Sequence, residues 1–167
     1  MSGAEVPKPD FMTEEDWAAF LESRTAERIR ASGKEQVRSY LATQGEGADE
    51  TMGGPTLLLT TIGRKTGKEV TVPANYMQHG EDVIVVGSLA GLEHHPYWAL
   101  NLEANPRAWV QIKERRWEVR ARKVDAEERR RLWPILTNFF FFWGHFQKYS
   151  EREFKVFVLS PAGGAKK

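Results

Sequence analysis

Apolar positions in the first third of the chain recur at roughly helical spacing. Trp17, Phe20, Leu21, Ile29, Val37 and Leu41 predict helix between Thr13 and Thr43. Thr13 can cap an acidic first turn of Glu14, Glu15 and Asp16, and Ser32-Gly33 predicts a break into two helices. Gln44 to Pro55, rich in Gly, Glu and Asp, reads as an unstructured or mobile loop. From Thr56 the period changes. Thr56 to Ile62, Val70 to Met77, Asp82 to Ser88, Ala108 to Lys113 and Arg116 to Val124 read as strands. Hairpin turns are expected at His79-Gly80-Glu81-Asp82 and at Lys113-Glu114-Arg115-Arg116. His95 to Ala104 reads as a short inserted helix, Asp125 to Leu136 as a helix capped by Asp125, and Phe154 to Leu159 as a last strand. Helices, a β-meander with one inserted helix, another helix and a closing strand predict an α+β fold. Its mainly antiparallel sheet is most economically closed into a barrel, which leaves no long edge open.

Composition narrows the class without naming a function. At 167 residues the chain has the size of one domain with one core. It divides into a helical extension with its loop (1–55), a barrel (56–161) and a small basic tail (162–167) expected to be disordered. Lys and Arg number 24 against 23 Asp and Glu, so no global charge invites nucleic acid, and any anion site must be a local cluster. The absence of cysteine excludes disulfides, thiolate chemistry and Cys-ligated metals. No stretch has the apolar length of a secretory signal or a bilayer span, which predicts a cytoplasmic protein. His94 and His95 are adjacent, cannot easily converge on one metal, and have no partner at ligand spacing; no metal site is expected. Six Trp and nine Phe are many for this size, and suggest an aromatic core or a pocket for a flat ligand.

The sharpest local feature is Thr60-Thr61-Ile62-Gly63-Arg64-Lys65-Thr66-Gly67-Lys68. It leaves a buried strand, turns on two glycines, and gathers Arg64, Lys65, Lys68 and threonine hydroxyls. Glycines let backbone N–H groups converge on an anion, Arg offers a bidentate fork and Lys a point charge. By spacing alone, a solvated basic hairpin turn fits equally well. The loop is not a P-loop, because the glycine spacing differs and no helix begins with Lys-Ser/Thr.

Leu57 to Met77 (LLLTTIGRKTGKEVTVPANYM), Val85 to Leu102 (VVGSLAGLEHHPYWALNL) and Asn105-Pro106 together resemble the deazaflavin-dependent nitroreductase family. The resemblance runs from about Leu57 to Pro161, through Trp133-Pro134 and Ser150-Glu151-Arg152. It implies the split β-barrel fold of the flavin/deazaflavin oxidoreductases, coenzyme F420 as cofactor, and a single-domain enzyme that acts as a monomer or homodimer. Carried over, it implies that Arg64, Lys65, Thr66 and Gly67, with Thr61 and Lys68 beside them, hold the coenzyme's phosphate and polyglutamate side. Val86, Gly87 and Ser88 would lie along the deazaflavin ring with backbone amides reaching its polar edge. Pro96, Tyr97 and Trp98 would form the other wall, and Asn101 would fix their helix. The chain departs from the pattern at Val70, where relatives often carry Arg, and at Leu89-Ala90-Gly91, where Lys-Gly-Gly is common; Lys68, His94 and His95 could compensate.

On the substrate side, Asn138 to Phe146 is aromatic on nearly every face. As one helix it would put residues 139, 142, 143 and 146 together, with Phe139 or Phe141 in the core. Where nitroreductases of the family place tyrosines, the resemblance puts Phe140, Trp143, Phe146 and Asn75, which implies a more apolar pocket poorer in proton donors. The implied reaction is hydride transfer from the reduced deazaflavin to a quinone, an enone or other activated alkene, or a nitroaromatic. Ser88 is the candidate to hydrogen-bond a carbonyl, while water, Tyr76 or His145 could supply the proton. Three other readings remain open: an FMN-dependent reductase on the same barrel, a carrier or sensor that binds F420 or another flat ligand without turnover, and peripheral membrane contact through the N-terminal helices and the Phe-rich face.

Overall fold

The computed structural model describes residues 5–163, so most of the basic tail lies outside the described residues. α1 (Glu14–Ser23) and α2 (Ala26–Thr43) open the chain. Thr13 caps α1 as expected, accepting from the Asp16 N–H at 3.0 Å. The break between the two helices falls at Arg24-Thr25 rather than at Ser32-Gly33. Thr25 is extended and caps α2 by accepting from the Arg28 N–H at 3.1 Å. A cap that satisfies free amides outweighs a single glycine, whose cost inside a helix is only about 1 kcal/mol. Gly33 lies within α2, where the helix rests on Pro73.

Residues 44–55 do not form an open loop. A two-residue strand β1 (Glu50–Thr51) pairs with the start of β2 (Gly54–Ile62), and Gln36 of α2 donates to the Ala48 carbonyl at 2.9 Å and the Thr51 hydroxyl at 2.9 Å. Polar composition suggested disorder, but these contacts with α2 supply order that composition does not reveal.

β3 (Glu69–His79), β4 (Asp82–Val86), β5 (Arg107–Ile112), β6 (Arg115–Lys123) and β7 (Val156–Pro161) complete the strands, all antiparallel. Their order is β2-β3-β4-β7-β6-β5, and β5 pairs back on β2 to close a six-stranded barrel. The two expected hairpins form, with Gly80 and Lys113 at positive φ. Inside the barrel, Leu57, Leu59, Val83, Val85, Val110, Phe157 and Leu159 make the core, plugged by Ala99 and Leu102 of α3 (Tyr97–Ala104).

Strand alternation exposes Ile84, Val86, Val156 and Val158 to the outer face. There they meet α4 (Ala126–Phe139), α5 (Phe141–Lys148), Trp17 and Val6 in a second, aromatic core. The N-terminal helices are part of this core: Phe20 stacks on Phe146 at 5.8 Å and also on Trp17 at 5.0 Å. The fold is thus an α+β split barrel with helices packed on its outer face.

Candidate functional site

Two adjoining cavities lie between α2, β3, the turn after β4 and α3. The first, about 320 Å³, is lined on one side by Asn75, Val86, Ser88, Leu89 and Ala90 and on the other by Phe140, Phe142, Trp143 and Phe146. The second, about 250 Å³, lies among Thr61, Val70, His94, Tyr97 and Asn101. Ile29, Gly33, Pro73, Leu89, Pro96 and Trp98 line both, so the two form one continuous, mostly apolar groove.

The aromatic segment reaches the first cavity by a route its periodicity does not predict. Phe140 is extended (φ −131°, ψ 108°), ending α4 and starting α5, so the helical phase resets there. Phe140, Phe142, Trp143 and Phe146 are buried, whereas Phe139 and Phe141, expected in the core, are 47% and 46% exposed. Phe140 also presses on Gly54. A Cβ at Gly54 would sit 2.6 Å from the Phe140 ring and 3.2 Å from Asn75 Nδ2. Gly54→Ala should therefore destabilise the fold by about 1–3 kcal/mol in denaturant titration, because the Phe140 ring and the Asn75 amide would have to shift. Unchanged stability would mean that the ring swings freely.

Asn75 lines the first cavity, but its amide group is committed, donating to the carbonyls of Thr51 at 3.1 Å and Gly54 at 3.2 Å. Tyr76, one residue on, faces the opposite side of β3. It packs against the barrel core and lines a separate cavity with Gln78, Ile112 and Trp117. The two-residue period of a strand keeps its phenol from the groove, which corrects the expectation that it could serve as proton donor there. Burial pushes the Tyr76 phenol above its ordinary value. His145 does not line the groove either, and its Nε2 lies 2.7 Å from the Pro7 carbonyl oxygen.

Val86 and Ser88 line the groove, Gly87 does not, and neither Gly87 nor Ser88 offers a free amide. The Gly87 N–H donates to the Lys155 carbonyl at 2.8 Å, and the Ser88 N–H to the Val86 carbonyl at 2.9 Å. What remains at this strand end is the Ser88 hydroxyl, with no hydrogen bond among the described residues. Beyond it Leu89 and Ala90 adopt positive φ (44° and 51°), a conformation that costs non-glycine residues energy and clusters at functional sites.

Arg152 holds this turn. Its guanidinium donates to the carbonyls of Gly87 (2.9 Å), Ser88 (2.8 Å) and Leu92 (2.8 and 3.1 Å). No carboxylate accompanies it among the described residues, and burial lowers its pKa to about 10, so it stays charged at neutral pH. Burial, and secondly the Arg152 charge, hold the neighbouring His95 below its ordinary value.

The glycine loop beside the second cavity spends four of its amides on its own shape and leaves those of Lys65 and Thr66 without a hydrogen bond among the described residues. The N–H groups of Gly63, Arg64, Gly67 and Lys68 are all used: on Lys68 O (2.8 Å), Asn101 Oδ1 (3.1 Å), Gly63 O (2.8 Å) and Thr66 Oγ1 (3.1 Å). Those amides shape the turn, and Gly67 takes φ 73°. An anion can meet the side chains as well as those two amides, since Arg64, Lys65 and Lys68 are exposed and have no ion-pair partner among the described residues. Asn101, buried in α3, donates to Thr61 Oγ1 at 3.0 Å, so one side chain locks the loop to the helix that carries Tyr97 and Trp98.

Sequence reasoning missed Arg24, Arg30 and Lys34, which the N-terminal helices bring to the groove. Arg30 and Lys34 lie one turn apart on α2 and line the second cavity; that i, i+4 spacing was the only signal available.

A flat ligand with an anionic tail fits these features: Trp98, Pro96 and Leu89 offer apolar walls, and the unpaired cations stand beside the second cavity. No group of three or more potential metal ligands occurs among the described residues.

Comparison with known proteins agrees. The family model described as F420H(2)-dependent quinone reductase matches residues 32–161. A putative F420H(2)-dependent quinone reductase of Mycobacterium tuberculosis is 38% identical over 107 residues, covering 64% of this chain and 90% of that protein. A second from the same species, named an F420H(2)-dependent quinone reductase, is 31% identical over 125 residues, covering 72% and 84%. Among solved structures, an F420-H2 dependent reductase superposes with a TM-score of 0.58 at 30% identity over 64% of this chain and 94% of the other. A chain described as a domain-swapped dimer gives 0.60 at 25% identity over 89% and 100%. With barrel, groove and cation loop in agreement, the chain belongs to the F420H(2)-dependent quinone reductase family.

Proposed function

We propose that this F420-dependent oxidoreductase reduces a quinone in the first cavity, with the coenzyme's ring along Trp98 and Leu89 and its anionic tail on Arg64, Lys65 and Lys68. The continuous groove, apolar at one end and flanked by unpaired cations at the other, is the observation that carries this reading. When bound, the reduced coenzyme supplies a hydride to an electron-poor carbon. The chain's own residues do the rest. Phe140, Phe142, Trp143 and Phe146 exclude water and hold a flat apolar acceptor; the Ser88 hydroxyl can donate to its carbonyl oxygen. With Tyr76 and His145 away from the groove, and His94 and Tyr97 lining only the second cavity, water is the proton source at the first.

Activated alkenes remain a second acceptor class, because the same apolar wall and the same donor suit an enone. The first cavity's described lining holds no phenol, since Tyr97 lines only the second, and this disfavours bulky nitroimidazoles. Titration with F420 and with FMN, followed by tryptophan fluorescence, tests the coenzyme; tighter binding of FMN would overturn it. Turnover of the reduced coenzyme should then be fastest with menadione, slower with cyclohexenone and slowest with a nitroimidazole. Preferential reduction of the nitroimidazole would exclude the quinone assignment. No helix among the described residues is long and apolar enough to cross a membrane.

A further inference from the structure

At the corner between α1 and α2 stands Arg24, half-buried against the first cavity with Phe20, Ser88, Leu89, Ala90 and Phe146. Its Nε donates to the Ala90 carbonyl at 2.7 Å. The terminal nitrogens have no partner among the described residues, and no carboxylate balances the charge. Burial lowers its pKa, as expected for a charge partly removed from water without compensation. A desolvated guanidinium with unused donors on a cavity wall favours an electron-rich oxygen.

Resting on the quinone reading, we propose that Arg24 is an acceptor-binding residue whose guanidinium meets a quinone carbonyl oxygen and gives the cavity a preference for quinones bearing an ionised hydroxyl. The chemistry needs a positive group at that point. A quinone becomes a hydroquinone by gaining a hydride, which brings two electrons from the reduced coenzyme, and one proton from water. Negative charge accumulates on the carbonyl oxygen before that proton arrives. Arg24 stabilises the charge and keeps its own proton. The N-terminal helices thereby contribute a polar group to a pocket whose barrel side offers Ser88.

The test uses coenzyme-free protein and two ligands with the same ring system: neutral menadione, and 2-hydroxy-1,4-naphthoquinone, which is ionised at neutral pH. Quenching of Trp98 and Trp143 reports binding to the wild type, Arg24→Met and Arg24→Lys. Arg24→Met should weaken the ionised quinone about tenfold or more and menadione less than about twofold, and Arg24→Lys should recover part of the loss. Raising the salt concentration should narrow the preference of the wild type. An equal loss for both ligands would make Arg24 a strut for Ala90 and overturn the inference, as would no change in either. A loss of F420 affinity instead would assign the guanidinium to the coenzyme and also overturn it. If Arg24→Met does not fold, Arg24→Lys and the salt series decide. Wild type that binds both quinones without preference sinks this inference and leaves the quinone reading standing; wild type that binds neither sinks both.

Discussion

Changing Arg64 and Lys65 together to alanine should weaken F420 binding roughly 30- to 100-fold while leaving the melting temperature almost unchanged. Both side chains are exposed and lack an ion-pair partner among the described residues, so folding loses nothing when they go. The turn keeps its shape because its amides, not these side chains, hold it: Gly63 on Lys68, Gly67 on Gly63, and Arg64 N–H on Asn101. Each cation facing a phosphate or carboxylate contributes a charge-assisted contact, and losing two gives a change of that size. Isothermal titration of wild type and variant at low salt measures it. At about 1 M salt the wild-type advantage should shrink, because screening then acts over about 3 Å. Unaltered affinity would mean that the loop is a solvated turn.

Arg152→Met should act in the opposite manner, with a large loss of stability. The guanidinium satisfies three backbone carbonyls in the turn that carries the left-handed Leu89 and Ala90. Methionine fills similar space but leaves those carbonyls without their donor and the strained backbone without its clamp. A cost of about 2–4 kcal/mol follows, or a fall in melting temperature of roughly 6–12 °C. Arg152→Lys should recover only part of it, since one ammonium cannot span Gly87, Ser88 and Leu92 with the geometry of a planar fork. Turnover should fall with stability, because the same turn forms the groove wall bearing Ser88. A variant as stable as the wild type would show that Arg24, through its bond to Ala90, holds the turn unaided.

How much of this was legible in the sequence depends on how local each feature is. Thr13 and Asp125 cap their helices as predicted, and the Gly80 and Lys113 turns form, because such features depend on three or four neighbouring residues. The six barrel strands were readable from the change of period at Thr56 and the turns that bound them. β1 was not, since two residues carry no periodicity and pair only because β2 and Gln36 are nearby. The aromatic segment misled for a related reason: one extended residue, Phe140, resets the phase and exchanges the exposed and buried rings. Among site residues, Ser88, Pro96, Trp98, Asn75, Phe140, Trp143 and Phe146 all line the groove, whereas Tyr76 faces away from it.

The sequence by itself determined the antiparallel strands, the cation loop between Gly63 and Lys68, and the aromatic supply for a flat pocket. Each is set by interactions within a few residues or by the two-residue period of strands. Only the tertiary structure decided which amides were still free, which face of β3 meets the groove, and that Arg24 and Arg152 secure one strained turn from separate ends of the chain. The last of these depends on contacts across 60 residues or more, Arg24 with Ala90 and Arg152 with Gly87. No local preference encodes such contacts, because they form only once packing of the two cores has brought the segments together.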